Sequence, residues 1–293
     1  MTKWSVGIDV TAQDIRMICL TKKGESYQLF AHAVVKRGDE EGMKKLLHHP
    51  AMHRGTTRFS IHDGTIKIRK ITTPVVPKEE LEEVIKWSLK EAIKVPVEGH
   101  ILRYYPMSGA EEKKQSYLVL AIERGKLQDH LIELQKIGIS QPQMIEPHMQ
   151  ALANCVEYNY DLKQTDRYAI ITLDNALAYF AVISAEGLLF YRTFSGVTAS
   201  ASADQKQLFP KLGVEIQYSC ENYLTQFPNQ SISSAILSGD GIYLPGLKEH
   251  IEETLRVPTG LLEVFKKIDA KAIPPAELTH AAAYYGIATG LAL

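Results

Sequence analysis

The sequence predicts an α/β protein of two similar lobes with a smaller α/β unit inserted into the first. Three observations carry that expectation. Residues 4–9, 15–20 and 27–35 read as three strands separated by the short polar turns 10–14 and 22–25. A second strand–turn–strand–turn–strand run follows at 168–173, 179–184 and 188–194. Between the two lies a stretch with strands and helices of its own. A meander at the start of the chain differs from the strand, Gly-rich turn and helix that open a dinucleotide-binding domain.

In the first lobe, residues 38–49 read as a helix and 58–61 as a strand. Residues 65–71 alternate polar and apolar side chains, as a half-buried strand should. The strongest helical pattern runs over 77–94, with Leu81, Val84, Ile85, Leu89, Ala92 and Ile93 on one stripe. Pro77 suits the helix start, and the acidic residues 79, 80, 82 and 83 precede the lysines 86, 90 and 94, favouring a Glu82–Lys86 pair. Val95-Pro96 is expected to stop it. Strands at 101–106 and 117–122, a helix at 126–137 and an extended stretch at 139–145 follow. Next come a helix at 147–158, an exposed connection at 196–209 and a helix at 214–227. The chain then offers a buried strand at 235–237, a helix with Leu247, Ile251 and Leu255 on one face, and a last helix over about 276–291. That last segment is rich in Ala and Gly, which lets it approach a sheet closely.

Composition narrows the function. The 33 basic and 34 acidic residues of the 293 nearly cancel, so no nucleic-acid partner is expected. Cys19, Cys155 and Cys220 have no metal-ligand or disulfide spacing and read as free thiols in a reducing, cytoplasmic setting. No apolar run is long enough to span a bilayer, so any membrane role is expected to come through a partner. His48, His49 and His53 lack the spacing of a zinc site and read as a solvated loop. There is no P-loop and no GxSxG elbow, and neither catalytic nor metal residues are assigned.

Val6-Gly7-Ile8-Asp9 resembles the first phosphate loop of actin-like ATPases, where an acidic residue ends a strand and hairpin amides cradle phosphate. Residues 236–241, ending Ser238-Gly239-Asp240-Gly241, resemble the adenosine loop of that superfamily. With residues 67–94, the helix around 215–223 and the C-terminal segment 281–292, the order of motifs is similar to the PilM family of type IV pilus assembly. The resemblance implies a two-lobed actin-like ATPase fold of ribonuclease-H-like repeats with an inserted α/β subdomain. The expected parts are 1–71 and 141–167 for the first lobe, 72–140 for the insertion, 168–275 for the second lobe and 276–293 for a C-terminal helix.

It also implies a nucleotide site at Asp9, Thr11, Thr172, Asp174, Gly239, Asp240 and Gly241. Two departures weaken it. Thr11 stands where the family has glycine. In the second loop Thr172 falls at the carboxylate position and Asp174 at the glycine, unless the hairpin shifts by one residue. ATP with Mg is therefore expected to bind weakly or not at all, and a phosphotransferase lacks a credible set of groups. The implied function is a scaffold at the inner membrane that binds the cytoplasmic N-terminal tail of a PilN-like bitopic protein, with the pilus motor ATPase as a further partner. Ile68, Leu89, Tyr104 and Tyr105 are the residues expected to meet the tail. An actin-fold small-molecule kinase or active ATPase, and the actin-like component of a type II secretion platform, stand as alternatives.

Overall fold

A computed structural model describes residues 4–62, 64–93, 97–107, 113–139, 142–175, 178–194, 196–198, 205–271, 273–278 and 280–293. In the first lobe, β1 (Trp4–Val10), β2 (Asp14–Lys23) and β3 (Ser26–Lys36) form an antiparallel meander. Helices α1 (Glu40–Leu47) and α2 (Pro50–Arg54) lead to β4 (Thr56–Ile61), which lies parallel to β1. The histidine cluster has structural work here. His49 caps α2 by accepting the Ala51 amide, and His48 Nδ1 meets the Lys44 carbonyl at 2.7 Å.

The insertion is a three-stranded sheet of order β5-β7-β6, made by β5 (Lys67–Pro74), β6 (His100–Pro106) and β7 (Lys114–Glu123). Helix α3 (Lys78–Ile93) packs on it, burying Ile85 and Leu89 against Ile71, Val119 and Ala121. The expected Glu82–Lys86 pair forms at 3.0 Å. The Val95-Pro96 stop lies outside the described residues, as does Ser140. The sheet takes in residues from Lys67, earlier than the expected boundary at 72. Helix α4 (Arg124–Lys136) follows it and leads through β8 (Met144–Pro147) back to β4 in the first sheet. The helical segment 124–136 is thus a crossover of the first lobe, because its continuation must pair parallel to β4.

Helix α5 (His148–Asn159) precedes the second lobe, whose meander is β9 (Tyr168–Leu173), β10 (Ala178–Ser184) and β11 (Gly187–Thr193). Helix α6 (Gln205–Gln226) starts earlier than expected, with Pro210 inside it. The proline forfeits one backbone bond near the helix start without ending the helix. Then β12 (Ser234–Ser238), a 3-10 turn over Asp240–Tyr243, α7 (Leu247–Leu255) and β13 (Thr259–Leu261) complete the lobe. The described strands form two sheets of matching order, β3-β2-β1-β4-β8 and β11-β10-β9-β12-β13, so the lobes are structural repeats. Strand β14 (Ile268–Asp269) returns to pair with β3 of the first lobe.

The expected C-terminal helix is instead three short ones, α8 (Pro275–Leu278), α9 (Ala281–Tyr284) and α10 (Gly286–Ala292). The last lies between β1 and α5, where glycine is obligatory. A Cβ on Gly7 would stand 1.9 Å from the Ala288 carbonyl oxygen, and one on Gly290 1.6 Å from that of Ala151. Arg58 caps the end, donating to the Leu291 carbonyl at 2.7 Å. One continuous core runs through both lobes and takes in Ile66, Ile68, Leu118 and Leu120 of the insertion.

Candidate functional site: the cleft between the lobes

Two hairpins and one loop meet in the cleft. Asp9 ends β1 and pairs across the hairpin with Arg16, leaving residues 11–14 as the turn. In the second lobe Thr172 pairs with Tyr179, leaving 174–177 as the turn, of which 176 and 177 lie outside the described residues. Thr172 also sits opposite Ser238 of β12, as Asp9 sits beside Ser60 of β4, whose hydroxyl donates to Asp9 Oδ1 at 2.6 Å. Both registers make Thr172 the counterpart of Asp9 and Asp174 the counterpart of Thr11. No one-residue shift returns a carboxylate to the strand end.

The first loop is satisfied internally. Thr11 Oγ1 donates to Asp14 Oδ1 at 2.8 Å and accepts from the amides of Gln13 and Asp14, while the Thr11 amide donates to the Asp14 carbonyl. Arg37 holds the Thr11 carbonyl. Hydrogen-bond donors that a phosphate would need are thus engaged within the hairpin.

Asp174 Oδ1 accepts the Asp240 amide at 3.2 Å, and burial pushes its carboxyl up to about 6. Gly239 has φ +93°, and a Cβ there would stand 2.4 Å from Asp174 Oδ1; one on Gly241 would strike the Leu173 side chain at 2.7 Å. The resemblance to an adenosine loop placed Gly239 and Gly241 in a nucleotide site. Their neighbours in the fold are instead Leu173 and Asp174, which account for both glycines without a ligand.

Side chains that the motifs did not single out join the lobes. Arg16, buried at the end of the first meander, bonds Asp14 at 2.8 Å, Asp240 of the second lobe at 3.1 Å and the Ala283 carbonyl at 3.1 Å. Its guanidinium lies 5.0 Å over the Tyr284 ring. Asn175 bonds Gln13 Oε1 at 3.0 Å and Asp240 Oδ2 at 2.9 Å across the same gap.

Deeper, His62 Nε2 meets Asp9 Oδ1 at 2.5 Å and stacks on His148, centroids 4.5 Å apart. Burial alone would raise the Asp9 carboxyl, but the His62 charge and hydrogen bond, with Arg16 and Ser60, outweigh it and hold Asp9 at about 2. Burial would lower His62, and Asp9 reverses that and raises it. Below the raised His62 value the pair is imidazolium and carboxylate. His148 is pushed down to about 3 by burial and by the neighbouring His62 charge. Its Nδ1 donates to the Ile61 carbonyl at 3.0 Å and its Nε2 accepts from the Tyr191 hydroxyl at 3.3 Å.

A test follows from these values. Folded His148 stays neutral from its ordinary 6.5 down to about 3, where the unfolded chain binds a proton, so its contribution to stability falls as pH falls through that window. Asp174 works oppositely between about 6 and its ordinary 3.8, where only the folded carboxyl keeps its proton. Between pH 7.5 and 5, His148→Asn should remove about 2 kcal/mol of acid-induced loss relative to wild type. Urea unfolding at the two pH values measures it; parallel losses would refute the assignment.

The space left in the cleft is about 300 Å³, lined by Thr11, Gln13, Arg16, His62, Asp174, Asn175 and Asp240 among others. These residues do not fit a magnesium-bound triphosphate. A second carboxylate stands where glycine amides are needed, Arg16 is held by carboxylates, and the imidazolium of His62 holds the charge of Asp9. Among the described residues no group of three or more His, Cys, Asp or Glu is placed to hold a metal ion, and no helix is long and apolar enough to cross a membrane.

The expected partner residues divide. Ile68 and Leu89 are 3% and 0% exposed core residues, because each points inward from its strand or helix. Tyr104 is half-buried, edge-on to Tyr117, and Tyr105 is 51% exposed on the opposite face of β6.

Comparison with known proteins returns the same fold. Residues 208–293 match the family model described as type IV pilus assembly protein PilM. A solved PilM–PilN type IV pilus biogenesis complex aligns with TM-score 0.79 at 16% identity, covering 98% of this chain and 97% of that one. The ethanolamine utilization protein EutJ from Carboxydothermus hydrogenoformans aligns at 0.53 and 12% identity, covering 100% and 90%. A Bacteroides thetaiotaomicron protein with an actin-like ATPase fold aligns at 0.51 and 10%, covering 100% and 96%. No curated protein matches. The chain is thus PilM-like: it has the two-lobed actin-like ATPase fold, and its C-terminal segment carries the PilM sequence pattern.

Proposed function

We propose that this PilM-like chain is a cytoplasmic scaffold of a type IV pilus platform, held at the inner membrane by the N-terminal tail of a PilN-like bitopic protein. The observation that carries the reading is the edge of β6. This strand pairs only with β7 among the described residues, so its other edge can add an extended peptide strand. Side-chain pockets lie on both faces. On one, a groove of about 920 Å³ between α3 and β6 is lined by Trp87, 67% exposed, and by Leu102 and Tyr104. On the other, Tyr105 borders a space of about 160 Å³ against Leu118, Gln150 of α5 and Leu188 of the second lobe. Adaptable aromatic anchors of this kind dominate peptide affinity.

Scaffolding also suits the cleft, where Arg16 reaches Asp240 and Asn175 reaches Gln13 across the lobes. Nucleotide binding in this reading is weak or lost, and no catalytic step is assigned. The motor ATPase of the same platform is a second partner, docking on the assembled complex.

Titration of the cytoplasmic tail peptide from the neighbouring bitopic protein tests the proposal. The expected result is saturable binding that Tyr105→Ala weakens about tenfold or more, with Trp87→Ala as the matching probe of the other face. A tail that fails to bind, or binds both variants as tightly as wild type, would refute it.

A further inference from the structure

A second cavity, of about 350 Å³, lies where the insertion meets the second lobe, away from the cleft and next to the Tyr105 space, with which it shares Met107 and Glu186. Three cationic side chains from distant parts of the sequence line it: Lys70 of β5, Lys114 of β7 and Arg167 just before β9. Among the described residues none of the three forms a salt bridge. Like charges gathered in a partly enclosed space repel one another unless an anion joins them.

The cations are also positioned. The Lys70 ammonium sits 4.7 Å over the Phe227 ring, which is almost wholly buried. Arg167 is braced by Gln230 Oε1 at 2.8 Å and by the carbonyls of Gln164 and Asp166 at 2.7 Å. Thr72 and Ser116, hydrogen-bonded to each other at 2.8 Å, add hydroxyl donors to the same wall. Among the described residues the lining carboxylate is Glu186, which is exposed, so there three positive charges face one negative. The imbalance calls for a dianion rather than a single carboxylate.

We propose that this cavity binds the phosphate group of a phosphorylated small molecule, with Lys70, Lys114 and Arg167 neutralising it and Thr72 and Ser116 donating to its oxygens. The volume exceeds what a phosphate alone fills and lies in the range of small-molecule sites, with Met107, Leu189 and Phe227 available to an apolar body. The walls come from two structural units, so a bound ligand ties the insertion to the second lobe. This inference does not depend on the scaffold reading.

Sodium pyrophosphate titrated calorimetrically into the full chain, without magnesium and at fixed ionic strength, tests it. Binding should be saturable and about tenfold weaker in Lys70→Gln and in Lys114→Gln, since each removes one charge-assisted contact. Lys114 is exposed, so its variant keeps the fold. In parallel, the wild-type amide resonances of Ser116 and Gln230 should shift on titration. Absence of binding, binding unaltered by both variants, or citrate binding as tightly as pyrophosphate would each overturn the proposal.

Discussion

Replacing His62 by alanine is expected to destabilise the folded chain by about 3–5 kcal/mol at pH 6, the range for a buried charge that loses its partner. Asp9 is fully buried, and its Oδ1 is held by Ser60 and His62 while Oδ2 has no hydrogen-bond partner among the described residues. Removal of the imidazolium leaves the carboxylate with one hydroxyl and the more distant Arg16. Part of the loss is recovered if the carboxyl then takes up a proton. The sign with pH is set by the raised value of His62: its contribution is complete below its ordinary 6.5 and disappears as pH rises through the folded value. The double variant Asp9→Asn, His62→Ala should regain much of the loss, because the orphan charge is gone. Urea unfolding of the four proteins in a double-mutant cycle reads the coupling. A single variant as stable as wild type would show that the pair is not buried and charged as described.

The second large effect belongs to Gly290. Alanine there would place its Cβ 1.6 Å from the Ala151 carbonyl oxygen and 3.1 Å from the Cys155 amide nitrogen, both backbone atoms of α5. A side chain cannot rotate away from a backbone atom, so α10 must shift off α5 and carry Arg58's cap with it. Overpacking of this kind costs typically about 1–3 kcal/mol and more where backbone must move. A loss of about 3 kcal/mol lowers Tm by roughly 5 °C in a chain of this size. Thermal unfolding of Gly290→Ala measures it. An unchanged Tm would mean that α10 does not lie against α5 as described.

Much of the architecture was legible because it is local. The two meanders, the amphipathic pattern of α3 and the Gly/Ala-rich C-terminus are each read from a few neighbouring residues, and the glycines at 7 and 290 show why that C-terminus is so composed. The placing of Thr172 at the carboxylate position and Asp174 at the glycine was readable only up to a one-residue hairpin shift, which the pairing of β9 with β10 and β12 removes. The limits of the insertion were not. Alternation in residues 65–71 predicts a strand without saying which sheet it joins, and the helix at 124–136 reads the same whether it belongs to the insertion or to the crossover. Ile68 and Leu89 were assigned to a partner surface because apolar residues on a strand and a helix look alike whether they face a groove or a core. The cleft's own chemistry was the least legible. Arg16 finds Asp240, and His62 finds Asp9 and His148, only after the chain has folded two lobes together. No spacing rule links residues 224 positions apart. A buried arginine inside an otherwise apolar strand, Ile15-Arg16-Met17-Ile18, was the one signal that pointed there.

Side chains of this chain bridge the cleft themselves: Arg16 and Asn175 join the lobes, and His62 balances Asp9. Calorimetric titration of Mg-ATP tests it most directly, with Arg16→Ala alongside wild type and phosphate release followed in the same samples. At most weak binding, and hydrolysis at background, are expected for both, since removing the arginine leaves Asp174 in place of a phosphate-binding glycine. A submicromolar dissociation constant, or turnover near about 1 per second as in ordinary enzymes, would contradict it.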